Sequence, residues 1–252
     1  MDEKTQQSGE WKTKGLKREG EGAFAAYRRL QYGTVGLGYV LWAEFLTFVA
    51  GPMPGAAGIL LRKWLYPSLF KSCGKGVLFG RNLVLRHARK IVLGDGVVLD
   101  DEVVLDAKGT DNEGMVLGDG VYVGRRSILY CKNGNMRLGP KVNVSSNCQF
   151  FSANELEVGA GTVVAAYVYL LSGGQYEVSG KAAPFAEQSG RVIRGPTRIG
   201  ENNWLGAGVV VVDGAQTGRH VVIGAGAVVT GEIPSDSLAV GIPAKVKQSI
   251  AE

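Results

Sequence analysis

Histidine and cysteine are scarce in this chain of 252 residues, with two of the first and three of the second. Cys73, Cys131 and Cys148 form no CxxC pair and leave one thiol over. That pattern argues against a disulfide framework and fits a reducing cytosol, where the thiols serve as small buried apolar groups. A catalytic zinc site generally takes three protein ligands, which His87 and His220 cannot supply between them, so no metal is expected. Proline is sparse, at 8 residues, and follows no G-X-Y period, so the chain is neither collagen-like nor low-complexity. There is no basic helix, zinc finger or RNP-type motif. The net charge of +5 and pI near 9.1 therefore do not point to nucleic acid, and leave an anionic membrane surface or a phosphorylated cofactor as partners. The first 30 residues lack an early apolar core, so no secretory signal is expected.

Glycine is abundant instead, at 38 residues, about twice the average usage of roughly 7%. This implies many corners with positive φ or close backbone approach. Residues 1–22 are polar and charged and read as a disordered tail. Residues 23–75 read as a helical appendage: an apolar run from Val35 to Ala50, broken only by Glu44, meets Gly51-Pro52-Met53-Pro54-Gly55, and a second runs from Ala56 to Leu69. Three arrangements remain open. The helices pack on the main domain or a neighbour; or they dip into a membrane interface, with Tyr39, Trp42, Trp64 and Tyr66 as anchors and Arg28, Arg29, Arg62 and Lys63 at headgroups; or they span the bilayer.

From about residue 76 a repeat takes over. Starting at Ile199 the sequence reads IGENNW, LGAGVV, VVDGAQ, TGRHVV, IGAGAV, VTGEIP in blocks of six. The first position is aliphatic in five of the six blocks, and glycine follows it in four. Leu93-Gly94, Leu117-Gly118, Leu138-Gly139 and Val158-Gly159 open earlier copies. A helix buries residues at a period of about 3.6, which six does not match. Short extended segments with a corner every six residues do match, and three such sides close a coil of about 18 residues. The fold expected for residues 76–247 is an all-β parallel β-helix, interrupted by a loop at 173–197. No α/β domain precedes the repeats, which disfavours a nucleotidyltransferase fusion.

The blocks LGDGV, IGENNWLGAG and IGAGAVVTGEIP, closed by AVGIPAKV at Ala239–Val246, resemble the hexapeptide-repeat acyltransferases. The stretch from Val158 to Lys247 looks closest to members that O-acetylate sugars, including colanic-acid-type exopolysaccharide enzymes. The resemblance implies a left-handed β-helix, a homotrimer with sites in clefts between subunits, acetyl-CoA or another acyl-CoA as co-substrate, and a sugar or glycan acceptor. It further implies a cytoplasmic protein, in a peripheral position on the inner face of the membrane if the appendage lies at the interface. A carbonic anhydrase-like enzyme on the same scaffold is disfavoured by the histidine count.

In that family a histidine of the inserted loop is the general base, and its position falls on Gln175 here. Glutamine cannot take up a proton at neutral pH. Nearby Glu177, Glu187 and Tyr176 are candidates to substitute or to orient the acceptor, and His87 to act across a subunit boundary. His220 is expected to point outward at a corner. The resemblance maps donor contacts to Ala207, Ala225 and Thr230, with Lys245 near the phosphates. It maps an acceptor-side asparagine to Ser145, two residues from Asn147. The Gln175 replacement also keeps open a non-catalytic homologue that binds ligand or scaffolds a membrane-associated assembly.

Overall fold

The computed structural model describes residues 20–176 and 191–251. Most of the tail expected at 1–22 lies outside them. Three helices come first, α1 (Ala23–Gln31), α2 (Leu37–Ala50) and α3 (Gly55–Leu65). Strands of two to five residues then alternate among three parallel sheets. Sheet A begins with Ser72–Cys73, sheet B with Leu78–Phe79 and sheet C with Val84–Arg86, and the chain returns to each sheet once per coil. The first coil therefore starts at Ser72, ahead of the legible repeats.

The repeated aliphatic residues explain the winding. Leu93, Leu117, Leu138, Val158 and Ile199 pair in register along sheet A, each at most 2% exposed, so one inward column fills one side of the prism. The glycine that follows lets coils approach. A Cβ on Gly94 would lie 2.7 Å from the backbone nitrogen of Asp119 in the next coil. Corners use left-handed backbone: at the A–B edge Gly96, Gly120, Lys141, Gly161, Asn202 and His220 have φ between 52° and 69°.

The expected 18-residue coil holds only near the C-terminus, where Arg198 pairs with Gln216. Earlier coils are longer: Val92 pairs with Val116, 24 residues on, and Arg137 with Glu157, 20 residues on. The extra residues gather at the C–A edge. There Lys90 bridges the turn between Lys108 and Met115, donating from Nζ to the carbonyl oxygens of Gly109 (2.9 Å) and Asn112 (3.0 Å).

The helices cap the first coil. Val40, Ala43, Leu46 and Ala50 of α2 are buried, and Phe70 stacks on Phe79 with ring centroids 5.7 Å apart. Among the described residues no helix is long and apolar enough to cross a membrane. Of the supposed interfacial groups, Arg62 and Tyr66 are internal and Tyr39 is half-buried. Arg62 is 2% exposed and donates to the carbonyl oxygens of Phe79 (3.0 Å), Ala50 (2.8 Å) and Met53 (2.7 Å). Tyr66 is fully buried. Tyr39 donates to the Leu69 carbonyl at 2.7 Å, with Arg89 over its ring. Trp42 and Trp64 do reach solvent.

Candidate active site

Two edges of the prism carry the features that bear on chemistry. At the B–C edge the residue before each left-handed corner stacks on its counterpart in the next coil. Successive backbone bonds run from Arg126 N–H to the Asp101 carbonyl (3.1 Å), Asn147 to Arg125 (3.0 Å), Tyr167 to Ser146 (3.2 Å), Gly208 to Ala166 (3.0 Å) and Gly226 to Ala207 (2.9 Å). The column therefore reads Asp101, Arg125, Ser146, Ala166, Ala207, Ala225.

Its first half is charged. Arg126 pairs with Glu102 at 2.8 Å, and Arg125 with Asp100 at 3.3 Å. Burial alone would raise the Asp100 pKa, but hydrogen bonds from the Asp101 N–H and the Tyr122 hydroxyl, together with Arg125, hold it below the ordinary carboxylate value. The second half is small: Ser146, Ala166, Ala207 and Ala225 carry nothing longer than a hydroxymethyl group, with Tyr167, 67% exposed, at the corner after Ala166. Ala207 and Ala225 are exposed on adjacent coils, and Asn147 is half-buried on the same edge. Lys245 faces Val240 in the antiparallel strand Lys245–Ser249, one rung beyond, and is exposed. Four of the residues mapped by resemblance thus share one edge. Thr230 does not. It follows Val228–Val229 at the far end of that side of the triangle, next to Gly231.

The C–A edge carries the inserted loop. Tyr169–Ser172 of sheet C leads into a small antiparallel ladder in which Gln175 pairs with Val192 and Tyr176 with Arg191, and Thr197–Ile199 resumes sheet A. Glu177 and Glu187 lie outside the described residues. The root of the loop is held by Asp213, which sequence reasoning passed over. Its carboxylate, on a residue 1% exposed, accepts the N–H of Gly173 (2.5 Å) and the N–H of Arg194 (2.7 Å), one from each end of the loop. Thr197 adds a bond to the Leu171 carbonyl (2.8 Å). The sequence signal at Asp213 is only an Asp-Gly pair, which reads as another corner; its buried carboxylate follows from the widened edge.

The histidines are structural. His87, one candidate to act across a subunit boundary, is 5% exposed in a left-handed corner. Its Nδ1 faces Asp106 and its Nε2 faces the Arg29 carbonyl, each at 3.3 Å, so neither ring nitrogen is turned to a substrate. It also sits on the first coil, four rungs from the loop, or about 19 Å at the usual strand spacing. His220 occupies an A–B corner, half-exposed, with Nδ1 3.0 Å from Asp236. Among the described residues no group of three His, Cys, Asp or Glu could hold a metal.

Residues 196–231 match the family model described as bacterial transferase hexapeptide (six repeats). A Mycobacterium tuberculosis protein named an acetyltransferase is 32% identical over 130 residues, 52% of this chain and 42% of its own length. A Staphylococcus aureus (strain Mu50) protein named likewise is 36% identical over 116 residues, 46% of this chain and 56% of its own. The chain thus spans about half the length of these curated relatives. A mutant of AntD, an N-acyltransferase from Bacillus cereus solved with dTDP and coenzyme A, superposes with a TM-score of 0.51 at 17% identity. It covers 74% of this chain and 88% of that one. The resemblance to the hexapeptide-repeat family stands, and the fold is its left-handed parallel β-helix.

Proposed function

We propose that this chain, a hexapeptide-repeat β-helix, is an acyl-CoA-dependent O-acyltransferase that moves an acetyl group onto a sugar hydroxyl of a polysaccharide or glycan intermediate. The observation that carries this is the small-residue half of the B–C edge. A strip of small residues on consecutive coils accommodates a thin extended arm, and Lys245 at its end supplies a cation for phosphates. The acetyltransferase names of the relatives support the same class of reaction.

In such a transfer the acceptor oxygen bonds to the thioester carbonyl carbon, the C–S bond breaks, and the hydroxyl proton passes to a base and then to the departing thiolate. Gln175 can orient the acceptor through its amide but cannot hold that proton. We assign the proton to a loop carboxylate, Glu177 or Glu187, whose pKa desolvation would raise toward neutrality. Asp213 is a positioning residue, fixing both ends of the loop. Asn147 and Tyr176 are assigned to the acceptor, and Ala207, Ala225, Thr230 and Lys245 to the donor.

The working form proposed is a homotrimer in the cytoplasm. Val163 and Trp204 are register neighbours on the outer face of sheet B, 45% and 57% exposed; this is an apolar side suited to a second prism. Light scattering should give three times 26.7 kDa.

The test is thiol release from acetyl-CoA by purified protein across a broad sugar panel. Release with at least one acceptor is expected, as is its loss in Glu177→Gln or Glu187→Gln. No release, together with no coenzyme A binding by calorimetry, would sink the proposal. Gln175 itself favours one alternative, a non-catalytic homologue that binds ligand. Its mark is coenzyme A binding without turnover, with activity appearing in Gln175→His.

A further inference from the structure

The helical cap buries one face and leaves the other apolar and bare. On α2, Leu41, Phe45 and Phe48 are 62%, 56% and 83% exposed at spacings of four and three, which puts them on one stripe. On α3, Ile59, Leu60 and Trp64 are 43%, 51% and 77% exposed. Folding does not require this surface. The opposite faces already supply the contacts to the coil, and Arg62 ties the α2–α3 elbow to it from beneath.

We propose that the outer face of α2 and α3 docks the protein onto an anionic lipid bilayer, with both helices lying in the interface. Length excludes crossing: the 14 residues of α2 reach about 21 Å, against about 30 Å of hydrocarbon. Charge selects the lipid. Residues 20–71 hold five Lys or Arg against two Asp or Glu; with Arg62 buried and Arg29 paired to Glu21, the balance at the surface is Arg28, Lys63 and Lys71 against Glu44. Glu21 pairs with Arg29 at 2.8 Å, and Glu44, exposed beside the α2 stripe, accepts the Tyr27 and Tyr32 hydroxyls. Lys63, beside Trp64, and Lys71 at the start of the first coil are exposed and suited to headgroup phosphates. The cap closes the end of the prism, whereas the B–C edge and the outer face of sheet B run along its sides. Ile59 of α3 shares a cavity with Val98 and Asp101 at the charged start of the B–C edge, but the small-residue half of that edge begins at Ser146, two rungs further on, so docking stands apart from the acyl-transfer proposal. It would also bring a lipid-anchored acceptor within reach.

The test is flotation of the full chain with vesicles of phosphatidylcholine alone or with about one-third phosphatidylglycerol. Wild type should float with the anionic vesicles, and the fluorescence of the wild type should shift to the blue. Phe48→Gln/Trp64→Gln removes the two most exposed anchors of α2 and α3, with an unchanged thermal melt, and should bind at least ten-fold more weakly. Lys63→Gln/Lys71→Gln should keep the fold and lose on the order of ten-fold on anionic vesicles only. The proposal is overturned if wild type stays with the unbound fraction on anionic vesicles, or if neither variant weakens binding. It is equally overturned if Phe48→Gln/Trp64→Gln changes the oligomeric state while vesicle binding is absent, since the face then belongs to a second copy.

Discussion

Replacing Arg62 by alanine should loosen the helical cap while leaving the coils standing. The guanidinium joins the end of α2, the elbow and sheet B, through the carbonyls of Ala50, Met53 and Phe79. Burial lowers its pKa, and no carboxylate shares its hydrogen bonds. Hydrogen bonds from a charged donor contribute about 1.5–3 kcal/mol each, and three of them would exceed any plausible total if simply added. Arg62 also lines a cavity of about 350 Å³ under α3, so water can reach the stranded carbonyls and reduce the loss. About 3 kcal/mol is expected, roughly a hundred-fold in the opening equilibrium. In a stacked solenoid that cost stays local. Hydrogen exchange should therefore accelerate about a hundred-fold across residues 40–66 in Arg62→Ala, with the coils beyond Leu117 unchanged. Arg62→Lys, lacking the planar fork, should recover only part of the protection. Unchanged exchange in the cap, or equal loss along the whole prism, would refute this account.

Other expectations follow from single contacts. Among the described residues the buried Tyr66 hydroxyl has no hydrogen-bond partner, so Tyr66→Phe should melt at the same temperature or higher, by up to about 1 kcal/mol. Asp213→Ala strands two buried N–H groups, and limited proteolysis should cut between residues 173 and 194 faster than in wild type. A Cβ at Gly206 would lie 2.6 Å from the nitrogen of Ala225, so Gly206→Ala should force adjacent coils apart and cost about 1–3 kcal/mol in a melt. Burial pushes the Cys131 thiol up to about 12, so its thiolate is almost absent near pH 8. Native alkylation there should label half-buried Cys73 and spare Cys131, whereas denaturant should expose both.

The inward column of Leu93, Leu117, Leu138, Val158 and Ile199 was legible because each residue repeats the same local demand, an aliphatic side chain followed by glycine. Coil length was not. The additional residues at the C–A edge lie between the blocks, where nothing periodic marks which side of the triangle holds them. The start at Ser72 was hidden for a related reason, since Cys73-Gly74 lacks the aliphatic opening. The partners of Arg62 and His87 were hidden for want of non-local information. Beside Lys63 on a helix, an arginine reads as solvated, and only the distant carbonyls of Ala50 and Phe79 make it internal. Of the residues proposed to meet the donor, Ala207 and Ala225 share one edge with Asn147, while Thr230 lies at the next corner. The clamp at Asp213 depends on the loop it secures, and its sequence neighbours give no hint of it.

A stack of identical rungs has no intrinsic reason to stop, and an unfinished last rung offers bare amides on which another chain could continue. Here the chain reverses. Lys245–Ser249 runs against the rung before it, and the segment just ahead of it bonds back to both the N–H and the carbonyl of Val228. A strand of the wrong direction, carrying Lys245 and Lys247, cannot template another parallel coil. Removing it should turn a bounded particle into one that grows end to end, limited only by the helices that seal the opposite mouth.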